Sequence, residues 1–206
     1  SILRIGFADN ILSALKAEML LIRFQELYPN ARLSSVNMTD YECENALLHQ
    51  KIDAAFSMGP FSSSDIQKIK LLSEPVCALL YSDHPLASRP FLTMEDLKDQ
   101  PLIVADSRNK GYARTLDFFQ KHGETPDIRF QTSDPLSHIR MVSEKLGISL
   151  LPERFYTLCA QTPGLKLLPI TDLPKRSIYL ILNDNSKNCV LLKQFISFTT
   201  DFFKEY

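Results

Sequence analysis

Several side chains in this sequence could do chemistry, and their spacing decides whether they can do it together. No two of the four histidines, His49, His84, His122 and His138, stand at the interval that puts two metal ligands on one helix face. Cys43, Cys77, Cys159 and Cys189 are far apart and form no Cys-x-x-Cys pair. Free thiols in a reducing cytoplasm are therefore expected, rather than a zinc site or a disulfide framework. No Gly-x-Ser-x-Gly elbow, Gly-x-Gly-x-x-Gly turn or P-loop occurs, and six glycines leave little material for a phosphate-cradling loop. His84, in "SDHPLA" directly before Pro85, reads as a turn residue whose ring caps a backbone carbonyl. No nucleophile–base pair and no metal site emerges, so the chain is not expected to be an enzyme or to need a cofactor.

What the sequence does offer is polar groups where strands give way to helices. Asp9 and Asn10 follow the first apolar run, Thr39 and Asp40 open the second helix, and Met58 ends the third strand. Ser107 and Arg108 follow "PLIVA", and Thr132 and Ser133 precede a helix starting at Pro135. In open parallel sheets the loops at the carboxyl ends of strands line the ligand crevice. Helix N-termini there present free N–H groups and a positive dipole end. Capping alone explains any one of these residues, with Thr39 or Asp40, and Asp134 before Pro135, as N-caps. Taken together, Asp9, Asn10, Thr39, Met58, Ser107, Arg108, Thr132 and Ser133 are the ligand-binding candidates.

Elements of regular structure must position them. "ILRIGFA" (2–8) is a short apolar run suited to a strand covered on both faces. A helix over 11–28, a strand over 31–37, a helix over 41–50 and a strand over 52–58 follow, and this βαβαβ order implies a parallel sheet. A long extended segment, 71–82, is broken by Pro75. Strands at 101–105, 128–132 and 148–152 then alternate with helices at 111–122 and 135–146. "LKLLPI", "IYLILN" and a helix over about 188–205 close the chain. The α/β pattern divides into two similar halves. The last strand and helix best complete the first, which requires two crossings between lobes and a cleft between them. The expected lobes are 1–77 with 178–206, and 78–177.

Composition narrows the function. Of 206 residues 45% are hydrophobic and 23% charged, with a formal net charge of −1. That is ordinary for a globular domain. It lacks the basic excess that phosphate neutralisation demands, so this chain is not expected to bind DNA by itself. No apolar run approaches the ~20 residues of a membrane helix. The opening residues read as a core strand, not a signal peptide.

The helix over 11–28 carries two apolar sectors. One holds Leu20, Leu21, Phe24, Leu27 and Tyr28, the other Ile11, Leu12, Leu15, Met19 and Ile22. A surface helix needs only one. The second either sits deep in a core or faces a partner, so Leu15, Met19, Leu20 and Phe24 are candidates for a dimer interface.

In order along the chain, "LRIGFA", "FQELYPNARLS", "LLHQKIDAAFSMGP", "YSDHPLASRPFLTMEDLKDQPLI" and "MVSEKLGISLLPE" resemble the effector-binding domain of LysR-type transcriptional regulators. "DHPLA" followed by "DLKDQPLI" and "EKLGISLLP" are the most specific pieces, with Gly147 expected in the left-handed conformation after its helix. The resemblance covers essentially the whole chain. It implies two Rossmann-like lobes with a central cleft and two crossover segments, similar to type 2 periplasmic binding proteins. It also implies a small-molecule effector in the cleft and a homodimer or tetramer in which the helix over 11–28 packs on a partner. DNA would be bound only through a winged helix-turn-helix domain preceding Ser1, and the protein would be cytoplasmic with no membrane contact. Where the family usually has Ser or Thr after the first strand, this sequence has Asp9-Asn10. A solute-binding protein of a transport system is the alternative for the same fold.

Overall fold

Leu3, Ile5, Phe7 and Ala8 are all buried in the first strand, β1 (Ile2–Ala8), whose second half is covered on both faces as its apolar sequence requires. The computed structural model describes residues 2–184 and 189–206. The chain divides into two compact units, Ser1–Ser73 with Ser177–Tyr206, and Glu74–Arg176. These junctions differ from the expected 77/78 and 177/178. Val76 and Cys77 already pair with Pro152 and Leu151 of the second sheet, and the Glu153 N–H donates to the Pro75 carbonyl.

In the first unit, β1 lies between β2 (Arg32–Met38) and β3 (Ala54–Met58), all parallel. β10 (Arg176–Asn183) runs antiparallel beside β3, and β4 (Ile66–Glu74) closes the order β2-β1-β3-β10-β4. α3 (Asp40–Leu48) links β2 to β3.

The helix expected over 11–28 is instead two helices, α1 (Ile11–Ala14) and α2 (Ala17–Leu27), separated by Lys16 at φ 53°. A continuous helix would turn Leu15 and Ala17 about 200° apart. The left-handed step brings both into the core, at 6% and 0% exposure. It thereby merges the two apolar sectors: Ile11, Leu15, Leu20 and Phe24 all lie in the core of this unit. Leu15, Leu20 and Phe24 are thus core residues rather than interface residues. Of the four interface candidates Met19 alone is exposed, on the same helix as exposed Ile22 and Leu27.

The closing helix, α8 (Val190–Lys204), completes the first unit; its expected beginning at 188 lies outside the described residues. Phe195 and Phe198 meet Phe24 edge-on at centroid distances of 5.2 and 5.5 Å. The Tyr206 hydroxyl donates to the Leu15 carbonyl at 3.1 Å, tying the chain end to the helix break. Burying each such phenyl ring contributes about 2–3 kcal/mol, with edge-to-face contacts adding about 1 kcal/mol.

The second unit has the sheet order β7-β6-β8-β5-β9. β6 (Pro101–Val104) is parallel to β7 (Asp127–Gln131) and β8 (Ile148–Pro152). β5 (Val76–Tyr81) is antiparallel to β8 and β9 (Leu165–Pro169). α5 (Lys110–Lys121) follows β6, and α6 (Pro135–Ser143) follows β7. Two short helices escape the sequence reading, α4 (Met94–Leu97) and α7 (Tyr156–Ala160). At four and five residues they are too short for a 3.6-residue period to register.

Gly147 is needed for a different reason from the one expected. The left-handed residue after α6 is Lys145, at φ 61°. A Cβ on Gly147 would lie 2.4 Å from the Pro101 carbonyl oxygen, so the glycine permits close approach of two backbones at the start of β8.

Candidate functional site

In the first unit, Asp9 and Asn10 carry the chain off β1 at φ 45° and 56°, a conformation their short polar side chains tolerate. Both are half-buried. Thr39 caps α3 through a reciprocal capping box. Its hydroxyl accepts from the Glu42 N–H at 3.2 Å, and Glu42 Oε2 accepts from the Thr39 N–H at 2.8 Å. Met58, fully buried, ends β3. Its N–H and the Ser57 hydroxyl both donate to Asp40 Oδ1, at 3.4 and 3.1 Å. Asp40 has no exposed surface and fixes the end of β3 from the first turn of α3. The sequence marked Asp40 only as a possible cap; its position one residue past the capping Thr39 gave no sign of a buried anchor. Glu44, one turn along the same helix and also buried, accepts from the Ser62 hydroxyl at 3.2 Å.

In the second unit two of the site residues, Arg108 and Ser133, are connected through Asp106. The Ser133 hydroxyl donates to Asp106 Oδ2 at 2.7 Å, and Asn109 Nδ2 donates to Ser133 Oγ at 2.5 Å. The Arg108 guanidinium grips Asp106 at 2.9 and 3.2 Å, and the Arg108 N–H adds a 3.0 Å bond. The Arg108 guanidinium, followed by the Ser133 hydroxyl, overrides burial and holds the Asp106 carboxyl down at about 2. Asp106 is therefore an anion at any physiological pH, paired with Arg108. Ser107 is exposed and has no hydrogen bond of its own among those seen at this turn.

Thr132 is held by three contacts. Its N–H donates to the Val104 carbonyl at 3.0 Å, and its hydroxyl accepts from the Asp134 N–H at 3.2 Å. Its carbonyl lies 2.7 Å from His138 Nε2. A carbonyl only accepts, so Nε2 carries the proton. His138 Nδ1 is 2.6 Å from the Ser149 hydroxyl, and the ring is buried. His138 is the residue that sequence reasoning passed over. Its place one turn into α6, four residues after the capping Asp134, is the only signal that it could reach back to the loop.

His84 does not cap a carbonyl. Its Nδ1 accepts from the Leu86 N–H at 3.0 Å, which requires the neutral ring, and burial lowers its pKa against a raising contribution from Gln100. Burial pushes the Cys77 and Cys159 thiols up to about 11; Cys43 is buried as well, and Cys189 is exposed. Among the described residues no group of three His, Cys, Asp or Glu side chains could hold a metal ion, and no helix is long and apolar enough to cross a membrane. Two surface grooves of the first unit lie elsewhere. One is lined by Leu27–Ala31 and the start of α8, the other by Leu21, Ile22, Gln25, Glu26, Pro29 and Leu33. Both adjoin the amino end of β2, whereas Thr39 follows its carboxyl end.

Comparison with known proteins places this arrangement. The model of the LysR substrate binding domain matches residues 2–204. An uncharacterized HTH-type transcriptional regulator of Escherichia coli (strain K12), YnfL, is 26% identical over 172 residues, covering 82% of this chain and 57% of that protein. The effector binding domain of QuiR in complex with shikimate superposes with a TM-score of 0.90 at 20% identity, covering 100% of this chain and 98% of that one. The BenM effector binding domain with its effector benzoate gives 0.87 at 22% identity, covering 99% and 92%. The chain spans about half the length of the curated relatives it matches. With two five-stranded sheets in this order and a family match over nearly every residue, the chain belongs to the LysR substrate binding domain family.

Proposed function

We propose that this domain is the ligand-sensing part of a bacterial LysR-type transcription factor. In this reading the residues that contact a small-molecule effector are Asp9, Asn10, Thr39 and Met58 of the first unit and Ser107, Arg108, Thr132 and Ser133 of the second. The observation that carries the reading is the Asp106–Ser133–Asn109 network: it holds hydroxyl and amide groups at the starts of α5 and α6, where backbone donors converge. Effector-bound relatives of the same fold and regulator homologues support it over a transport protein. In the same reading DNA is contacted by a helix-turn-helix domain outside this sequence, and the whole protein acts in the cytoplasm as a regulator rather than an enzyme. A ligand that favours one arrangement of the units shifts their equilibrium by its differential affinity. Calorimetric titration with small metabolites tests this: a binder should lose about two- to tenfold in affinity with Thr132→Ala, and binding unchanged in alanine variants of all eight residues would refute the site.

The exposed Met19, Ile22 and Leu27 support a homodimer through the outer face of α2. Replacing Met19 and Ile22 together with Glu should give a folded monomer by sedimentation. A wild-type protein that is itself monomeric at high concentration would overturn the dimer.

A further inference from the structure

Arg176, the last residue of the second unit, is 8% exposed, yet its Nε and Nη2 have no hydrogen-bond partner. Its guanidinium lies against the beginning of α5. A Cβ built on Gly111, the second residue of that helix, would stand 3.5 Å from both Nη1 and Nη2. α5 is twelve residues long, its N-cap Asn109 makes no side-chain capping bond, and its first turn contains no acidic residue. A positive dipole end thus meets a buried guanidinium to which, among the described residues, no acidic side chain is hydrogen-bonded. Leaving a buried cation unpaired is costly, and an oxyanion would satisfy both groups at once.

The same turn offers one acceptor. Asp106, ionised, can only accept, so the single hydroxyl proton of Ser133 goes to it. Ser133 Oγ must then accept from Asn109, which turns Nδ2 towards Ser133 and leaves Asn109 Oδ1 buried without a donor. A ligand satisfying this turn carries a negative oxygen group for Arg176 and a hydrogen-bond donor for Asn109.

We infer that the second unit binds a small carboxylate bearing a nearby hydroxyl or amino group, with the carboxylate on Arg176 at the start of α5 and the donor on Asn109 Oδ1. This rests on the ligand-sensing reading and names the class of its ligand. Guanidinium suits the role because its fork matches a carboxylate.

The experiment is a thermal-shift titration with lactate, malate, serine and shikimate. Each acid is compared with a form lacking the donor (propionate, succinate) or the charge (lactamide, serinamide). At least one hydroxy or amino acid should stabilise the wild type, with its amide inert and its deoxy counterpart weaker by about two- to tenfold. Arg176→Met should weaken the stabilising acid by about ten- to a hundredfold, Arg176→Lys by less, and Asn109→Ala should reduce the hydroxy acid to the level of its deoxy analogue. Arg176→Met should also raise the melting temperature of the ligand-free protein, which loss of a structural partner would lower. Acids that bind Arg176→Met as tightly as wild type, or a ligand-free Arg176→Met that melts lower, would overturn the inference while leaving the ligand-sensing reading intact. If neither these acids nor a wider neutral metabolite panel stabilises the wild type, both fall.

Discussion

The strand-to-helix junctions of the two units are finished to different degrees. In the first unit α3 closes its own N-terminus: Thr39 and Glu42 cap each other, and buried Asp40 and Glu44 accept from Ser57 and Ser62 of the same unit. In the second, α6 is capped by Asp134, but α5 is left open, with Asn109 turned away and Arg176 beside it. A junction whose donors and acceptors are all matched contributes stability and little else. One that leaves a buried donor and a buried acceptor unmatched trades stability for binding.

The sharpest way to break this contrast is at Asp40. Asp40→Ala strands the Ser57 hydroxyl and the Met58 N–H in the core and should cost about 3 kcal/mol in urea unfolding. A loss under 1 kcal/mol would remove the distinction between a finished and an unfinished junction. His138→Leu comes next. It frees the Thr132 carbonyl and the Ser149 hydroxyl and should cost about 2 kcal/mol, with chemical-shift changes concentrated at Thr132.

Asp106 gives a pH signature. Its folded pKa, about 2, lies below the ordinary 3.8, so its contribution is complete above pH 4 and disappears as the pH falls from 4 through 2. Because Arg108 is largely exposed, that contribution is about 1 kcal/mol. Asp106→Asn should lose this much at pH 6 and flatten the acid limb of the melting curve. Smallest is the paired capping test. Thr39→Ala should cost about 1 kcal/mol, and Asn109→Ala only a few tenths, since one hydrogen bond is lost while one stranded acceptor is removed. Equal costs would show that α5 is capped after all.

The alternation of strands and helices was legible because apolar runs of five to seven residues and Gly, Pro and Asp punctuation are local signals. The break at Lys16 was not, because it is set by which side chains reach the core, and both halves have the same helical period. The caps Thr39 and Asp134 were legible from cap chemistry. Asp40, His138 and Arg176 were not. Each acquires its role from a neighbour 11 to 65 positions away in sequence, as with Asp40 to Ser57 and Arg176 to Gly111. Arg176 was hidden further by lying at the head of a strand, where an arginine ordinarily faces water.

The burial of three of the four thiols has a practical consequence. Cys43, Cys77 and Cys159 are shielded, the latter two with thiols pushed up to about 11, so at neutral pH they are scarcely nucleophilic. Cys189 is exposed at the head of α8 in the first unit. A maleimide fluorophore will therefore attach at one place on the unmodified chain. A single cysteine added at exposed Tyr156 supplies a second site in the other unit. The native sequence is thus already half of a donor–acceptor pair, with which energy transfer can follow the distance between the two units as candidate ligands are added.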